Sequence, residues 1–230
     1  MEATATPGPS RTRLIAWSVF VSAIALLNYA ARFGGGNDRH AARHVSLYSY
    51  STFAGGMALY AIWLGIVLLI CIDRFELLAL RRPQRWGRAL GLAVAAIIAI
   101  WVWEAIVSFI PLPQSPGQEQ GITGVHWEPA HAGAFAANVV LFAVVAPFVE
   151  ELTFRGAGQS LLGFLGRVPS ILIVGCAFGL AHGLVEGLLV LVAFGIALAW
   201  LRDRTESVVP GMFVHALFNG AALAAAVLVN

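Results

Sequence analysis

Seven stretches of this sequence are apolar over roughly the length that a helix needs to cross a bilayer, about 20 residues. They lie near 14–31, 54–72, 89–111, 134–153, 169–184, 185–201 and 210–229. The chain is 59% hydrophobic and only 11% charged, against about 45–50% apolar and about 25% charged in soluble domains. The expected architecture is therefore all-α: a polytopic transmembrane helix bundle of about seven spans. Between the short fifth and sixth runs lie only Gly183, Leu184 and the region of the acidic Glu186.

The arginines set the expected orientation. All fourteen basic residues are arginines. With a cytoplasmic N-terminus, Arg11, Arg13, Arg74, Arg81, Arg82, Arg85, Arg88, Arg155, Arg167, Arg202 and Arg204 fall inside, and Arg32, Arg39 and Arg43 fall outside. The positive-inside bias favours that arrangement. The loop from 111 to 133 has no basic residue, as an external loop should. Residues 1–13, "MEATATPGPSRTR", read as a short disordered cytoplasmic tail. The apolar run after it shows no small-residue cleavage site, so a retained anchor in the cell membrane is expected. "GGG" at 34–36 reads as a flexible loop. A formal charge of +2 gives no reason to invoke nucleic acid. Cys71 and Cys176 lie in apolar runs and are expected as buried thiols, with no disulfide framework and no CxxC metal site.

Removing the loops leaves a short set of polar residues within apolar runs: Glu104, Glu150, Glu151, Arg155, His182, Glu186, His215 and Asn219. Charges at the centre of a spanning helix cost roughly 2.5–3.5 kcal/mol each on insertion scales, so "VVAPFVEELTFRG" at 144–156 needs an explanation. Residues four apart share a helix face. Glu151 and Arg155 have that spacing, with the glutamate N-terminal, the better order for an ion pair. Phe178 and His182 in "FGLAH" repeat it, and so do His215 and Asn219 in "HALFN". Glu150 is rotated about 100° from Glu151 and has no cation at helical spacing. The reading assigns Glu150 the chemistry of a general base, and Glu151 with Arg155 a structural role.

Any one of these pairs could simply tie helices together. Three of them on successive apolar helices point to a shared site. Glu104 and Glu186 are isolated by spacing and are expected to be structural or interfacial, while His40, His44, His126 and His131 fall in expected external loops. Gly175, Gly179 and Gly183 recur every four residues, a spacing that lets helix backbones approach closely. Helix packing without chemistry would use these glycines equally well.

"EELTFR", "FGLAH" and "HALFN", in that order, resemble the CPBP intramembrane proteases, the CAAX-protease and bacteriocin-processing or Abi family, whose members include the CAAX prenyl endopeptidase Rce-one. The resemblance covers roughly 134–226, leaving 14–133 as N-terminal transmembrane helices and loops outside it. It implies hydrolysis of peptide bonds in membrane-associated or lipidated substrates. Glu150 would activate water, His182 would assist or orient it, and His215 with Asn219 would bind the oxyanion. Glu151, Arg155 and Phe178 would support them. Glu150, His182 and His215 could also hold a zinc ion with an open water position. No HExxH is present, and the pattern equally fits a metal-free glutamate mechanism, the reading preferred here. The implied cleft would open to the cytoplasm, provided that 158–167 forms an interfacial or partly re-entrant turn. Two rival classes remain: a proton- or solute-coupled transporter using Glu150 and His182, against which no inverted repeat is visible, and a catalytically silent scaffold or immunity protein.

Overall fold

The computed structural model describes residues 10–34, 47–110, 127–185 and 187–228. His40, His44, His126 and Glu186, residues 1–9 of the tail and most of the 111–133 loop lie outside the described residues. Seven helices are present among those described, without a strand. They are α1 Arg11–Phe33, α2 Tyr50–Ile70, α3 Trp86–Val107, α4 Pro129–Leu161, α5 Arg167–Ala181, α6 Leu188–Thr205 and α7 Val209–Leu228.

The first four helices are long and apolar enough to cross a membrane, as in a multi-pass membrane protein. Of the remaining three, α5 and α6 have shorter apolar parts than the expected spans. α5 has 15 residues, about 22 Å of rise, which is short of the roughly 30 Å apolar core of a bilayer. α6 begins at Leu188 and runs on to Thr205, so its last turn takes in Arg202, Asp203 and Arg204 and shortens its apolar part. α7, at 20 residues, has about the length of a span.

The segments that the arginine count assigns to one side of the membrane do meet in space. Arg13 at the start of α1 donates to the carbonyls of Ile70 and Ile72 at the end of α2. Arg81 donates to the Glu206 carbonyl, and Val208 N–H donates to Ala79 O. Arg167 pairs with Asp203, and Arg202 reaches the Ser160 hydroxyl. At the opposite ends, Asn28 of α1 donates to Ala181 O, Trp103 of α3 donates to Leu189 O, and Asn138 of α4 donates to the carbonyls of Leu47 and Ser49.

One hydrophobic core joins both halves of the chain, from Trp17, Val21 and Val67 to Phe154, Phe178, Phe194 and Leu198. Of the two cysteines, Cys71 is buried as expected. Cys176 is exposed, because it sits on the outward face of α5, where apolar side chains meet lipid rather than core. The α5–α6 contact depends on glycine. A Cβ on Gly195 would lie 2.7 Å from Gly175 O, and one on Gly175 would lie 2.8 Å from the Ile196 nitrogen. Gly179 meets Val192 in the same way. Gly183, expected within the fifth helix, lies beyond its end at φ +64°, pressed against the Asn28 backbone, where any side chain would collide.

α4 is not a regular helix. It contains two π-helical turns, Leu141–Val145 and Leu152–Gly158, on either side of the regular turn Ala146–Glu151. Pro147 accounts for the wide turn at the first, since proline has no N–H to donate to the preceding turn. In the π register, Ala146 N–H pairs with Leu141 O. The next donor in that register would be residue 147, which would serve Phe142 O. That carbonyl instead receives the side-chain amide of Asn219 from α7 at 2.9 Å.

Candidate active site

Glu150 and Glu151 end the regular turn between the two π segments, so the backbone carries the adjacent carboxylates in different directions. Both are buried, Glu151 completely. The Glu151 Oε1 accepts from Arg155 Nη1 at 2.8 Å and from His215 Nδ1 at 3.1 Å. Arg155, itself fully buried, also donates to Gly195 O of α6 at 3.2 Å and lies 4.1 Å from the centre of the Phe178 ring. A buried charge needs both a counter-charge and hydrogen bonds, and Arg155 has an anion, a carbonyl and an aromatic face. Gly211 at the start of α7 allows this approach, because a Cβ there would sit 2.8 Å from Glu151 Oε2.

Glu150 faces another set of groups. Its Oε1 accepts from the Tyr60 hydroxyl of α2 at 3.0 Å. Its Oε2 lies 3.9 Å from His182 Nε2 and 3.8 Å from His215 Nε2. His182 caps the C-terminus of α5, with its Nδ1 2.7 Å from Phe178 O, so that nitrogen donates and Nε2 is left facing the carboxylate. His215 is fixed in the same sense by Glu151 at its Nδ1. Aromatic rings orient both imidazoles: Phe178 lies 4.6 Å from His182 and 5.6 Å from His215, and Phe194 lies 5.1 Å from His215. The His182 side chain is 30% exposed, against 3% for His215 and 10% for Glu150, so the cluster is entered past His182.

The structure thus brings together Glu150, Glu151, Arg155, Phe178, His182 and His215 from α4, α5 and α7. Asn219 stands one turn beyond His215 and is turned to α4, with its amide on Phe142 O. Glu104 is half-buried on α3, and among the described residues no hydrogen bond or ion pair links it to the cluster. His131 lies at the outer end of α4 and pairs with Glu128 at 2.9 Å, both side chains being exposed. Gaps of 3.8–3.9 Å between Glu150 and the two imidazoles exceed the roughly 3.3–3.5 Å between two ligands of a tetrahedral zinc with bonds of about 2.0–2.1 Å. Among the described residues no group of three such side chains is close enough to hold a metal ion.

Several partners of the site lie outside the three motifs. Tyr60 and Trp63 are three residues apart on α2, with ring centroids 5.6 Å apart. Trp63 donates to the Thr153 hydroxyl at 2.8 Å, and Trp17 of α1 donates to the Thr153 carbonyl at 2.9 Å. The sequence does hold a signal for them. Polar-tipped aromatics belong at the ends of membrane helices, whereas Tyr60 and Trp63 occur well inside an apolar run.

No curated protein and no solved structure matches this chain. A family model does, over residues 132–221: that of the Rce1-like family, described as Type II CAAX prenyl endopeptidase Rce1-like. The match spans the segment from α4 to α7 that carries Glu150, His182, His215 and Asn219, and it names the family that the three motifs resemble.

Proposed function

We propose that the protein is an intramembrane endopeptidase that cleaves membrane-associated or lipidated CAAX-type substrates, with Glu150 as the base that activates water. The observation that carries this reading is the placement of one Glu150 oxygen opposite two imidazole nitrogens at 3.8–3.9 Å, while the other oxygen is held by Tyr60. Polar groups more than about 3.5 Å apart can interact through a bridging water. Such a water would donate one hydrogen to Glu150 Oε2 and approach the His182 Nε2 with the other.

In the proposed reaction the water oxygen attacks the scissile carbonyl carbon while its proton passes to Glu150. The carbonyl oxygen becomes an oxyanion. His215, in its doubly protonated form, and the second amide hydrogen of Asn219 are the candidate donors to it, a contribution typically worth about 10²–10³ in rate per donor. Glu150 then returns its proton to the leaving amine, the C–N bond breaks, and a carboxylic acid and an amine leave, the acid passing its remaining proton to the amine or to water. Glu151 and Arg155 take no proton in this scheme; they fix the orientation of His215. The concentration of arginines at one end of the bundle supports a location in the cell membrane with that end toward the cytoplasm, whereas His182, past which the cluster is entered, follows Ala181 at the other end of α5.

The test is cleavage of farnesylated CAAX peptides by the purified protein, with the Glu150→Gln variant as comparison. Glu150→Gln keeps the shape and removes the base. A loss of at least about 10²–10⁴-fold in kcat with unchanged thermal unfolding is expected. Full activity of the variant would contradict the assignment.

A further inference from the structure

The helices around the Glu150 cluster differ in how far they reach across a bilayer. α5 rises from Arg167, which pairs with Asp203 at the arginine-rich end, over 15 residues, about 22 Å. α6 returns from Leu188 over a similar apolar length before it reaches Arg202. The tip between them therefore stops short of the roughly 30 Å apolar core of a bilayer, and any tilt lowers it further. His182 stands at that tip, directly after Ala181.

Irregular backbone is tolerated at such a depth only where protein buries it or water reaches it. α1 supplies the protein. Asn28 donates to Ala181 O at 2.6 Å, and the Tyr29 hydroxyl donates to Leu184 O at 3.2 Å. Gly183 turns the chain at φ +64°, where a Cβ would lie 2.8 Å from the Asn28 backbone. The His182 side chain nevertheless stays 30% exposed. Along α7 exposure rises in the same direction: His215 is buried, and Asn219, one turn farther from the arginines, is half-buried.

The approach from the arginine-rich end is closed. About two turns of α7 before His215, Val208 N–H donates to Ala79 O and joins the start of α7 to the turn that follows Phe75–Leu78. Val208, Ser207 and Phe154 are fully buried, and Leu78 and Ala79 nearly so. The Leu78 carbonyl lies so near Gly156 that a Cβ there would stand 2.7 Å from it. A packed floor thus separates Glu150 from the arginines. Resting on the peptidase reading above, we infer that the Glu150 cluster is entered from the arginine-poor face of the membrane, over the α5–α6 tip. Its substrates are then peptide segments presented from that outer face, rather than C-terminal tails presented from the cytoplasm.

The experiment treats single-cysteine variants of the full-length protein, with Cys71 and Cys176 replaced by alanine, with a membrane-impermeant maleimide on right-side-out and on inverted membrane vesicles. Arg88→Cys, exposed at the arginine-rich end, reports the orientation and should label in inverted vesicles alone. His182→Cys should label in right-side-out vesicles and lose that labelling in inverted ones. Labelling of both variants from one face overturns the inference. So does a His182→Cys that labels from neither face, which leaves only a route through lipid. Labelling of Arg88→Cys in right-side-out vesicles alone would put the arginines outside and overturn the outer-face assignment. If the alanine background fails to fold, the buried Cys71 is retained, and labelling is scored above that of protein carrying Cys71 alone. If His182→Cys fails to fold, Asn219→Cys takes its place with the same outcomes. Labelling needs no turnover, so it decides the route even if Glu150→Gln defeats the peptidase reading. The substrate side is read from the wild-type protein with a pool of polar, internally quenched peptides that do not cross the membrane. Cleavage is expected in right-side-out vesicles and lost on inversion; equal or greater cleavage in inverted vesicles overturns the substrate assignment.

Discussion

Within the apolar stretches of α1 and α2 only 11% of residues are buried, in α3 22%, and in α4 39%. The N-terminal helices therefore present most of their surface outward, while α4 is enclosed by its neighbours. Yet three of the polar contacts that α1 and α2 make inward converge on α4. Trp17 and Trp63 hold the carbonyl and hydroxyl of Thr153, and Tyr60 holds Glu150. In hydrocarbon, packing and interhelical hydrogen bonds hold helices together, since lipid tails are as apolar as leucine. A handful of directed bonds to one helix is thus enough to make two outward-facing helices part of the site. The segment that the Rce1-like family model matches starts at residue 132, but the hydroxyl that orients its proposed base comes from residue 60.

This contrast can be broken or sharpened by substitution, beginning with the enclosed half. Arg155→Ala leaves Glu151 buried without its cation and is expected to cost about 3–5 kcal/mol, seen as a large drop in the thermal unfolding midpoint in detergent. An unchanged midpoint would mean that the pair is not a structural keystone. Next is Gly195→Ala. Its Cβ would sit 2.7 Å from Gly175 O and force α5 from α6, at about 1–3 kcal/mol. A neutral result in the same unfolding measurement would show that the two helices can separate without cost.

In the outward-facing half the largest effect should come from Tyr60→Phe. Loss of a hydrogen bond to a charged group is worth about 1.5–3 kcal/mol, which here should appear as roughly a tenfold or greater fall in kcat with KM little changed. A purely structural tyrosine would lower the unfolding midpoint and leave kcat alone, so the two readouts separate the roles.

Much of this arrangement was legible in the sequence. The i,i+4 spacing in "EELTFR" placed Arg155 on Glu151, and the isolation of Glu150 from any helical cation left it free to face the histidines. The all-helical membrane architecture followed from hydropathy alone. Other features depend on tertiary structure. No helical spacing could reveal that Tyr60, ninety positions away, would reach Glu150. Pro147 was visible in the run, but the consequence, a widened turn whose Phe142 carbonyl takes the Asn219 amide, depends on where α7 lies. The count of about seven spans rested on hydropathy. It did not anticipate that α5 stops at His182 or that α6 runs on into Arg202, Asp203 and Arg204.

The most direct measurement compares Glu150→Gln and Glu151→Gln side by side, recording single-turnover cleavage of a prenylated peptide and thermal unfolding on the same preparations. The account predicts opposite signatures: Glu150→Gln folded and inactive, Glu151→Gln destabilised but cleaving to the extent that it remains folded. A stable, inactive Glu151→Gln beside a Glu150→Gln that still turns over at the wild-type rate would contradict it.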